Sequence, residues 1–500
     1  MQRIFRWFIL SVMCLLILVF ISVLVYAIQV QNVTQEPEQD TDDRLLTIHL
    51  QGVSSATASL KPFGGAKAIS PIAKTQDAKN GKTAVIKIPA QYLPREFLLK
   101  IDYRDKETDF LSHTGRYIFI NKQDIELSVN PLYINNSDYT KFSDGETENT
   151  VYRAFMEESS KKRMPIESLR QFLLSYTLPE SKLYTQAAEE FEQRRLEYNT
   201  WLSNQAEAYG GLFVSNLFQF QYIPQIEWSG SLEERYNRLL NAYFDGIDFS
   251  NPLITYSHNM SLFMDGYIRL YSMKAATEEL RNSSLIKAGR IACEKASHGH
   301  PEVYGWMVDY FYKGYAMYKV DDGIVMLREH IDNPNCLTSK REQITKYLES
   351  KAILIPGALS PDFVIADKEG NNFEFHKWKG IARHKLLLFT LTGCAGCKTL
   401  KKALTKWYDE PKNKERLDII AIDLRETETE AERAKTIAAL PSEWKYIYAK
   451  GGMDSPVAMD YAITGAPAMF LIETEGNTIV SLPNTFIDLI DVLNKDIAVE

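Results

Sequence analysis

Cysteine is scarce in this chain, whose 500 residues include only Cys14, Cys293, Cys336, Cys394 and Cys397. Five cysteines are too few for the disulfide-dense scaffolds of small secreted domains. The sequence also lacks a long basic block, and 57 Lys and Arg residues against 65 Asp and Glu residues give a net charge of −8. Because nucleic-acid binding depends on clustered positive charge, the composition argues against nucleic acid as the main partner.

The remaining composition is that of a folded protein with several domains. Apolar residues make up 45% of the chain and charged residues 24%, which excludes wholesale disorder. A length of 500 residues is too long for one domain and suits about three domains.

The amino-terminal segment, residues 4–30, is apolar for about twenty consecutive positions after Arg6, which is long enough to cross a bilayer as a helix. Arg3 and Arg6 lie before or at the start of this run, and residues 31–43 after it are acidic and contain no Lys or Arg. The positive-inside rule therefore predicts a cytoplasmic amino terminus and an extracytoplasmic body, which would be periplasmic in a Gram-negative cell.

We interpret residues 1–30 as an uncleaved membrane anchor, with two alternatives. A signal peptidase could cleave after Val25-Tyr26-Ala27, although the apolar run is long for a signal peptide, and Cys14 could be lipidated. All three interpretations place the body of the protein where cysteine pairs can be oxidised.

The chain between the membrane segment and residue 135 has strand-like patterning. Residues 31–44 are polar and acidic, which is typical of a linker. Residues 45–135 contain short alternating runs separated by turn residues, such as LLTIHLQG and TAVIKIPA. This pattern predicts a small β-sandwich of antiparallel strands with a structural or docking role.

Residues 145–352 change to helical periodicity and predict an all-α domain. The helices are predicted at 147–160, 165–176, 180–209, 231–246, 259–281, 284–297, 302–318, 322–332 and 338–351. Their boundaries are predicted near five prolines: Pro165, Pro179, Pro252, Pro301 and Pro334.

Two cysteines of the helical domain, Cys293 and Cys336, lie on different predicted helices. In an oxidising compartment they could form a structural disulfide worth about 2–4 kcal/mol, or they could remain as two buried thiols. His298 and His300 lie near Cys293, but no further ligand follows at a suitable spacing, so we expect no metal site.

The carboxy-terminal region, residues 353–500, alternates strands and helices and predicts an α/β domain. The continuous apolar run 385–391 is typical of a strand buried on both faces, and Thr392-Gly393-Cys394-Ala395-Gly396-Cys397 follows it at a predicted helix start. Unpaired N–H groups and the helix dipole favour a thiolate at the first cysteine. The pattern therefore predicts Cys394 as the nucleophile and Cys397 as the resolving thiol.

These residues resemble a thioredoxin-like domain of the TlpA/ResA-like thiol–disulfide oxidoreductases. The stretch Pro356–Phe363, with Asp367 and Gly370, is similar to that family's opening motif, with Ser360 in place of an alanine. The stretch Gly465–Ile472 also matches the sequence of that family. The resemblance implies that Pro467 is a cis proline packed against the cysteine pair and that the backbone of Ala466 pairs with a substrate peptide. The layout of the whole chain resembles multidomain envelope proteins that carry such a domain.

Three positions depart from the family pattern. Gly393 replaces a tryptophan that commonly precedes the first cysteine, and this glycine is expected beside the substrate. Leu388 stands where thioredoxin has a buried aspartate, and Leu400 where ResA-like proteins often carry a glutamate. The sequence therefore shows no acid that could deprotonate the resolving thiol.

The sequence predicts an extracytoplasmic thiol–disulfide oxidoreductase that needs no cofactor. Its expected partners are disulfide- or dithiol-bearing envelope proteins and an electron donor or acceptor whose identity the sequence does not give. The alternative is an envelope ligand-binding or scaffold protein whose thioredoxin-like domain is a redox sensor or a structural module.

Overall fold

The computed structural model describes residues 42–64, 70–75, 78–79, 83–273, 275–366, 371–391, 393–425 and 441–497. The hydrophobic segment 4–30 and residues 427–440, whose sequence predicts a helix, lie outside the described residues, as do Thr392, Asp367 and Gly370. Within the described ranges, no helix is both long enough and apolar enough to span a bilayer. The described residues form two compact units, one of residues 42–63, 70–172 and 186–221, the other of residues 173–185 and 222–497.

The first unit contains two β-sheets around one hydrophobic core. Its strands are β1 Arg44–Leu50, β2 Val53–Pro62, β3 Ala73–Lys74, β4 Ala78–Lys79, β5 Thr83–Ile88, β6 Arg95–Asp105, β7 Leu111–Ile120, β8 Ile125–Val129 and β9 Thr140–Phe142. One sheet has the order β5-β1-β8-β9; the other has β3-β2-β6-β7, and β4 also pairs with β2. Alternate residues of β5 are buried, which is the pattern of a strand with one face on a core.

The pairing of β1 with β8 is parallel, so the expectation of antiparallel strands is wrong at this pair. The reason is their separation along the chain. Strands joined by a tight turn must run antiparallel, whereas β1 and β8 are separated by six other strands and can pair in either direction.

Helices occupy most of the chain between the β-sheets and the carboxy-terminal region. They are α1 Glu148–Ser175, α2 Lys182–Ala208, α3 Leu232–Asn241, α4 His258–Ser272, α5 Glu278–Ser297, α6 Pro301–Tyr318, α7 Asp321–Met326, α8 Arg328–Ile331 and α9 Arg341–Ile353. Two 3-10 helices, Phe213–Gln221 and Pro252–Tyr256, lie between them.

The expected helix boundary at Pro165 is wrong, because Pro165 lies inside the continuous helix α1. A proline removes one backbone hydrogen bond from a helix. Phe155 and Ile166, before and after the proline, are both buried. Packing of helix faces supplies most helical stability in proteins, so α1 continues through the proline.

The carboxy-terminal region forms a five-stranded sheet flanked by helices. Its elements are β10 Val364–Ala366, β11 Asn372–Glu374, β12 His384–Thr390, α10 Ala395–Tyr408, α11 Pro411–Lys414, β13 Leu417–Asp423, β14 Lys445–Tyr448, α12 Pro456–Asp460, β15 Ala468–Glu473, β16 Ile479–Ser481 and α13 Phe486–Ile497. The sheet has the order β14-β13-β12-β15-β16, in which β12, β13 and β14 are parallel and β15 and β16 are antiparallel to their neighbours. A two-stranded sheet of β10 and β11 precedes it.

The central strand β12 positions the cysteine motif. All seven of its residues are buried, as the continuous apolar run predicts for a strand covered on both faces. Leu387 and Phe389 pack into the core on one face, and Leu386 and Leu388 pack into the core on the other. The second core also contains Leu400 of α10, so β12 presents its Leu388 face to the helix that carries Cys397.

Candidate functional site

Cys394 lies at the amino-terminal end of α10, immediately beyond the central strand. It is the N-cap residue of this helix, with an extended backbone at φ −74° and ψ 123°. The backbone N–H of Cys397 donates a hydrogen bond to Cys394 Sγ over 3.2 Å. Unpaired N–H groups of a first helical turn stabilise a negative charge, so this position favours the thiolate of Cys394.

The two thiols of the motif have opposite pKa shifts. Burial acts to raise the pKa of Cys394, but hydrogen bonds from Cys397 and Gly396 and the charge of Lys401 outweigh it, so the pKa of Cys394 is lowered. Cys394 is partly exposed, whereas Cys397 is only 1% exposed. Burial and the hydrogen bond with Cys394 raise the pKa of Cys397. One thiol is therefore accessible and acidic, and the other is buried and protonated.

Two glycines shape the approach to these thiols. Gly393 has φ +88°, a left-handed conformation that a residue with a Cβ rarely adopts, and it is exposed beside Cys394. A Cβ added to Gly396 would lie 3.5 Å from Cδ of Pro467. The proline ring therefore packs against the first turn of α10.

The cis-proline loop, which we define as residues 462–467, borders the cysteine pair from the other side. The peptide bond between Ala466 and Pro467 is cis, as the resemblance implies. The thiol of Cys394 donates to the carbonyl oxygen of Ala466 over 3.6 Å. The structure thus brings together all five residues expected at the site, namely Gly393, Cys394, Cys397, Ala466 and Pro467.

A residue of the helical region also contacts the cis-proline loop. Lys319 follows helix α6 in a left-handed conformation, and its Nζ donates to the carbonyl oxygen of Pro467 over 2.9 Å. A cavity of about 530 Å³ lies beside this contact and is lined by Leu354, Met469 and Phe470 among others. Sequence reasoning missed Lys319, because its distance from Pro467 along the chain gives no sign of the contact.

The structure also shows polar residues at the ends of the central strands that sequence reasoning did not single out. Leu388 and Leu400 are both buried in an apolar core, so neither expected acid position carries an acid. However, Thr390 at the end of β12 is in register with Asp423 at the end of β13. Both are buried, and Tyr446 donates from its hydroxyl to Asp423 Oδ2 over 2.5 Å. The ends of both strands are visible in the sequence, but their register is not.

Comparison with known proteins finds similar solved structures. No family model and no curated protein matches the chain. Solved structures match part of the chain. The chain is similar to thioredoxin-like thiol–disulfide oxidoreductase domains from Bacteroidetes.

Three solved structures illustrate the extent of this similarity. The thioredoxin domain of a thiol-disulfide oxidoreductase from Bacteroides vulgatus is 26% identical, with 29% of this chain and 98% of that chain covered and a TM-score of 0.25. A thioredoxin-like protein from Bacteroides caccae is 16% identical, with 55% and 96% covered and a TM-score of 0.31. A thiol-disulfide oxidoreductase from Bacteroides fragilis is 21% identical, with 27% and 98% covered and a TM-score of 0.25.

Cys293 and Cys336 are two free, buried thiols in this structure, which corresponds to the second of the two alternatives for this pair. Burial raises the pKa of Cys293 strongly, and the nearby Cys336 raises it further. Burial also raises the pKa of Cys336 to about 11. Both thiols are therefore protonated at neutral pH and poor nucleophiles compared with Cys394.

The lowered pKa of Cys394 predicts a characteristic pH profile for its alkylation. Only the thiolate reacts with iodoacetamide, so the rate should rise with pH and reach half its maximum below the value of about 8.5 expected for a free thiol. Peptide mass spectrometry of the folded, reduced protein should find Cys394 alkylated well before Cys397. In Lys401→Gln the midpoint should shift upward, because the charge of Lys401 helps to lower this pKa. A midpoint at or above that of a free thiol would contradict the assignment.

Proposed function

We propose that this protein is a thiol–disulfide oxidoreductase that exchanges disulfides with proteins of the cell envelope through Cys394 and Cys397. The observation that carries the proposal is the inequality of the two thiols. Cys394 is accessible and has a lowered pKa, whereas Cys397 lies one helical turn away, buried, with a raised pKa. Disulfide exchange requires one thiol that attacks the disulfide of a partner and a second thiol that then resolves the mixed disulfide.

The reaction follows from this arrangement in two steps. The Cys394 thiolate attacks one sulfur of a substrate disulfide, so that a mixed disulfide forms and the other substrate sulfur leaves and takes up a proton. Cys397 then loses its proton and attacks Cys394 Sγ, which breaks the mixed disulfide. The substrate leaves as a dithiol with two more electrons and two more protons, and Cys394 and Cys397 remain as a disulfide.

The cis-proline loop supports the binding of an extended substrate segment. The Ala466 carbonyl lies beside Cys394 Sγ, so a peptide held along this backbone would bring its disulfide to the nucleophile. Gly393 leaves the other side of Cys394 open, because it has no side chain and is exposed. Ala466, Pro467 and Gly393 are therefore the proposed substrate contacts.

The proposed location rests on the amino-terminal sequence. Residues 4–30 would anchor the chain with its body outside the cytoplasm, where substrate disulfides persist. An envelope electron donor would reduce the Cys394–Cys397 disulfide after each turnover. If the pair is more oxidising than its partners, the same steps run in reverse and the protein introduces disulfides.

Insulin reduction tests the proposed function. The purified full-length chain with dithiothreitol as the electron donor should accelerate insulin precipitation over dithiothreitol alone. The double variant Cys293→Ala/Cys336→Ala should retain this activity, because neither buried thiol takes part. Inactivity of the folded, reduced protein toward both insulin and small disulfides would contradict the proposal and favour a binding or scaffold role.

A further inference from the structure

Release of the mixed disulfide requires a thiolate at Cys397, and the protein must reduce the cost of forming that charge. Cys397 is 1% exposed and its pKa is raised by burial. Leu388 and Leu400 are apolar members of the core beside it. Neither position can take up a proton or donate a hydrogen bond to the thiolate.

Thr390 is a polar residue on the same face of the central strand as Leu388. Side chains alternate along a strand, so Leu386, Leu388 and Thr390 all point toward one side of the sheet. Leu386 and Leu388 pack with Leu400 of α10 on that side. Cys397 lies one turn before Leu400 on the same face of the helix, so Thr390 and Cys397 are directed into the same layer.

The Thr390 hydroxyl is buried and has no hydrogen-bond partner among the residues that the structure describes. Thr390 is 1% exposed, and among the described residues no protein atom forms a hydrogen bond with its Oγ1. A buried hydroxyl without a partner is unfavourable and is therefore rare in folded proteins. A negative charge on Cys397 would give this hydroxyl an acceptor, and the Thr390 side chain acts to lower the pKa of Cys397 against the larger effect of burial.

The neighbouring strands make this end of the sheet polar. Thr390 is in register with Asp423, and Tyr446 of β14 donates to the Asp423 carboxylate. In the middle of this face the residues of β12 and β13 are apolar, and the buried His384 lies at the opposite end of β12. The polar residues at this end of β12, β13 and β14 are therefore Thr390, Asp423 and Tyr446, and Cys394 lies at the start of the helix that carries Cys397.

We propose that Thr390 is a catalytic residue whose hydroxyl donates a hydrogen bond to Cys397 Sγ as the thiolate forms, in place of the acid that Leu388 and Leu400 do not provide. This inference rests on the proposed function. The balance of the reaction does not change. Cys397 still gives up its proton to solvent, the bond between Cys397 and Cys394 forms as the mixed disulfide between Cys394 and the substrate breaks, and the substrate sulfur leaves as a thiolate that takes up a proton. Thr390 lowers the barrier of this second step and has no part in the first attack.

Stopped-flow reaction with 5,5′-dithiobis(2-nitrobenzoate) separates the two steps. Cys394 releases the first thionitrobenzoate when it attacks the reagent, and Cys397 releases the second when it resolves the mixed disulfide. In Thr390→Val, a substitution of nearly equal volume, the first phase should stay within about twofold of wild type. The second phase should slow by about tenfold or more, and its pH midpoint should rise by about one unit, as expected for a lost hydrogen bond to a charge.

Three further variants define the outcome. Thr390→Ser should have a second phase as fast as that of wild type, because serine keeps the hydroxyl. Thr390→Ala should be as slow in the second phase as Thr390→Val. The alanine variant serves as the hydroxyl-deletion variant if the valine variant does not fold. Thr399→Val is the matched control, because Thr399 is exposed on α10 and donates to the Ala395 carbonyl. Equal second phases in wild type and both hydroxyl-deletion variants would overturn the role of Thr390. A wild-type protein without any second phase would instead overturn the proposed function.

Discussion

Replacing Cys394 with serine should lower the rate of insulin reduction by at least about a thousandfold, because a serine hydroxyl at neutral pH cannot replace a thiolate nucleophile. Replacing Cys397 with serine should have a different effect. The first attack still occurs, but the buried position can no longer release the substrate, so Cys394 should remain joined to partner proteins. These adducts should appear on non-reducing gels and disappear after treatment with a reducing agent.

The control for this experiment is the double variant Cys394→Ser/Cys397→Ser. It should form no adducts through the helical domain, because Cys293 and Cys336 are buried and protonated. Adducts that persist in the double variant would show that a different thiol reacts. If Cys397→Ser forms no adducts while its Cys394 still reacts with iodoacetamide, the two-step mechanism fails.

Replacing Arg235 with methionine should lower the free energy of unfolding of the second unit by about 3 kcal/mol or more. Arg235 on α3 is 1% exposed, and its guanidinium donates to the carbonyl oxygens of Leu173 and Tyr176 and to the Tyr184 hydroxyl. Leu173 lies in the last turn of α1, where backbone carbonyls lack partners within the helix. Methionine fills a similar volume but removes the guanidinium donors to these oxygens.

Arg238→Met provides the comparison on the same helix. Arg238 is partly exposed, and its donors reach the Glu227 and Ser229 carbonyls near the surface. Its replacement should change stability by about 1 kcal/mol or less. Urea unfolding gives the global values, and hydrogen exchange should show faster opening of residues 173–185 and 232–241 in Arg235→Met alone. Equal effects of the two substitutions would mean that the buried guanidinium does not hold these segments together.

The sequence was most informative where the function of a residue depends on its near neighbours in the chain. A buried strand that leads directly into a cysteine at a helix start is a local pattern: β12 lies within one residue of the expected run 385–391, and α10 begins at the cysteine motif as predicted. Pro467 depended on the resemblance to a family rather than on its neighbours. The structure places it against the cysteine motif, and the catalytic roles of these residues stay predictions.

The contacts that could not be predicted join residues that are distant along the chain. Thr390 and Asp423 become neighbours through the register of β12 with β13, and a short apolar strand carries no local signal of its register. The continuity of α1 through Pro165 also depends on distant packing. A propensity argument weighs only the lost hydrogen bond, whereas the buried side chains on both sides of the proline determine the outcome.

The contact between Lys319 and Pro467 bears on whether the carboxy-terminal domain is a transferable module. A fragment that begins near residue 353 would contain both cysteines and the whole five-stranded sheet. It would lack the ammonium group that donates to the Pro467 carbonyl from 148 positions earlier in the chain. Fusing this fragment to another protein would therefore transfer the chemistry of the thiols without one of the groups that holds the cis-proline loop. The helical region and the carboxy-terminal domain would have to be inherited together for this contact to persist.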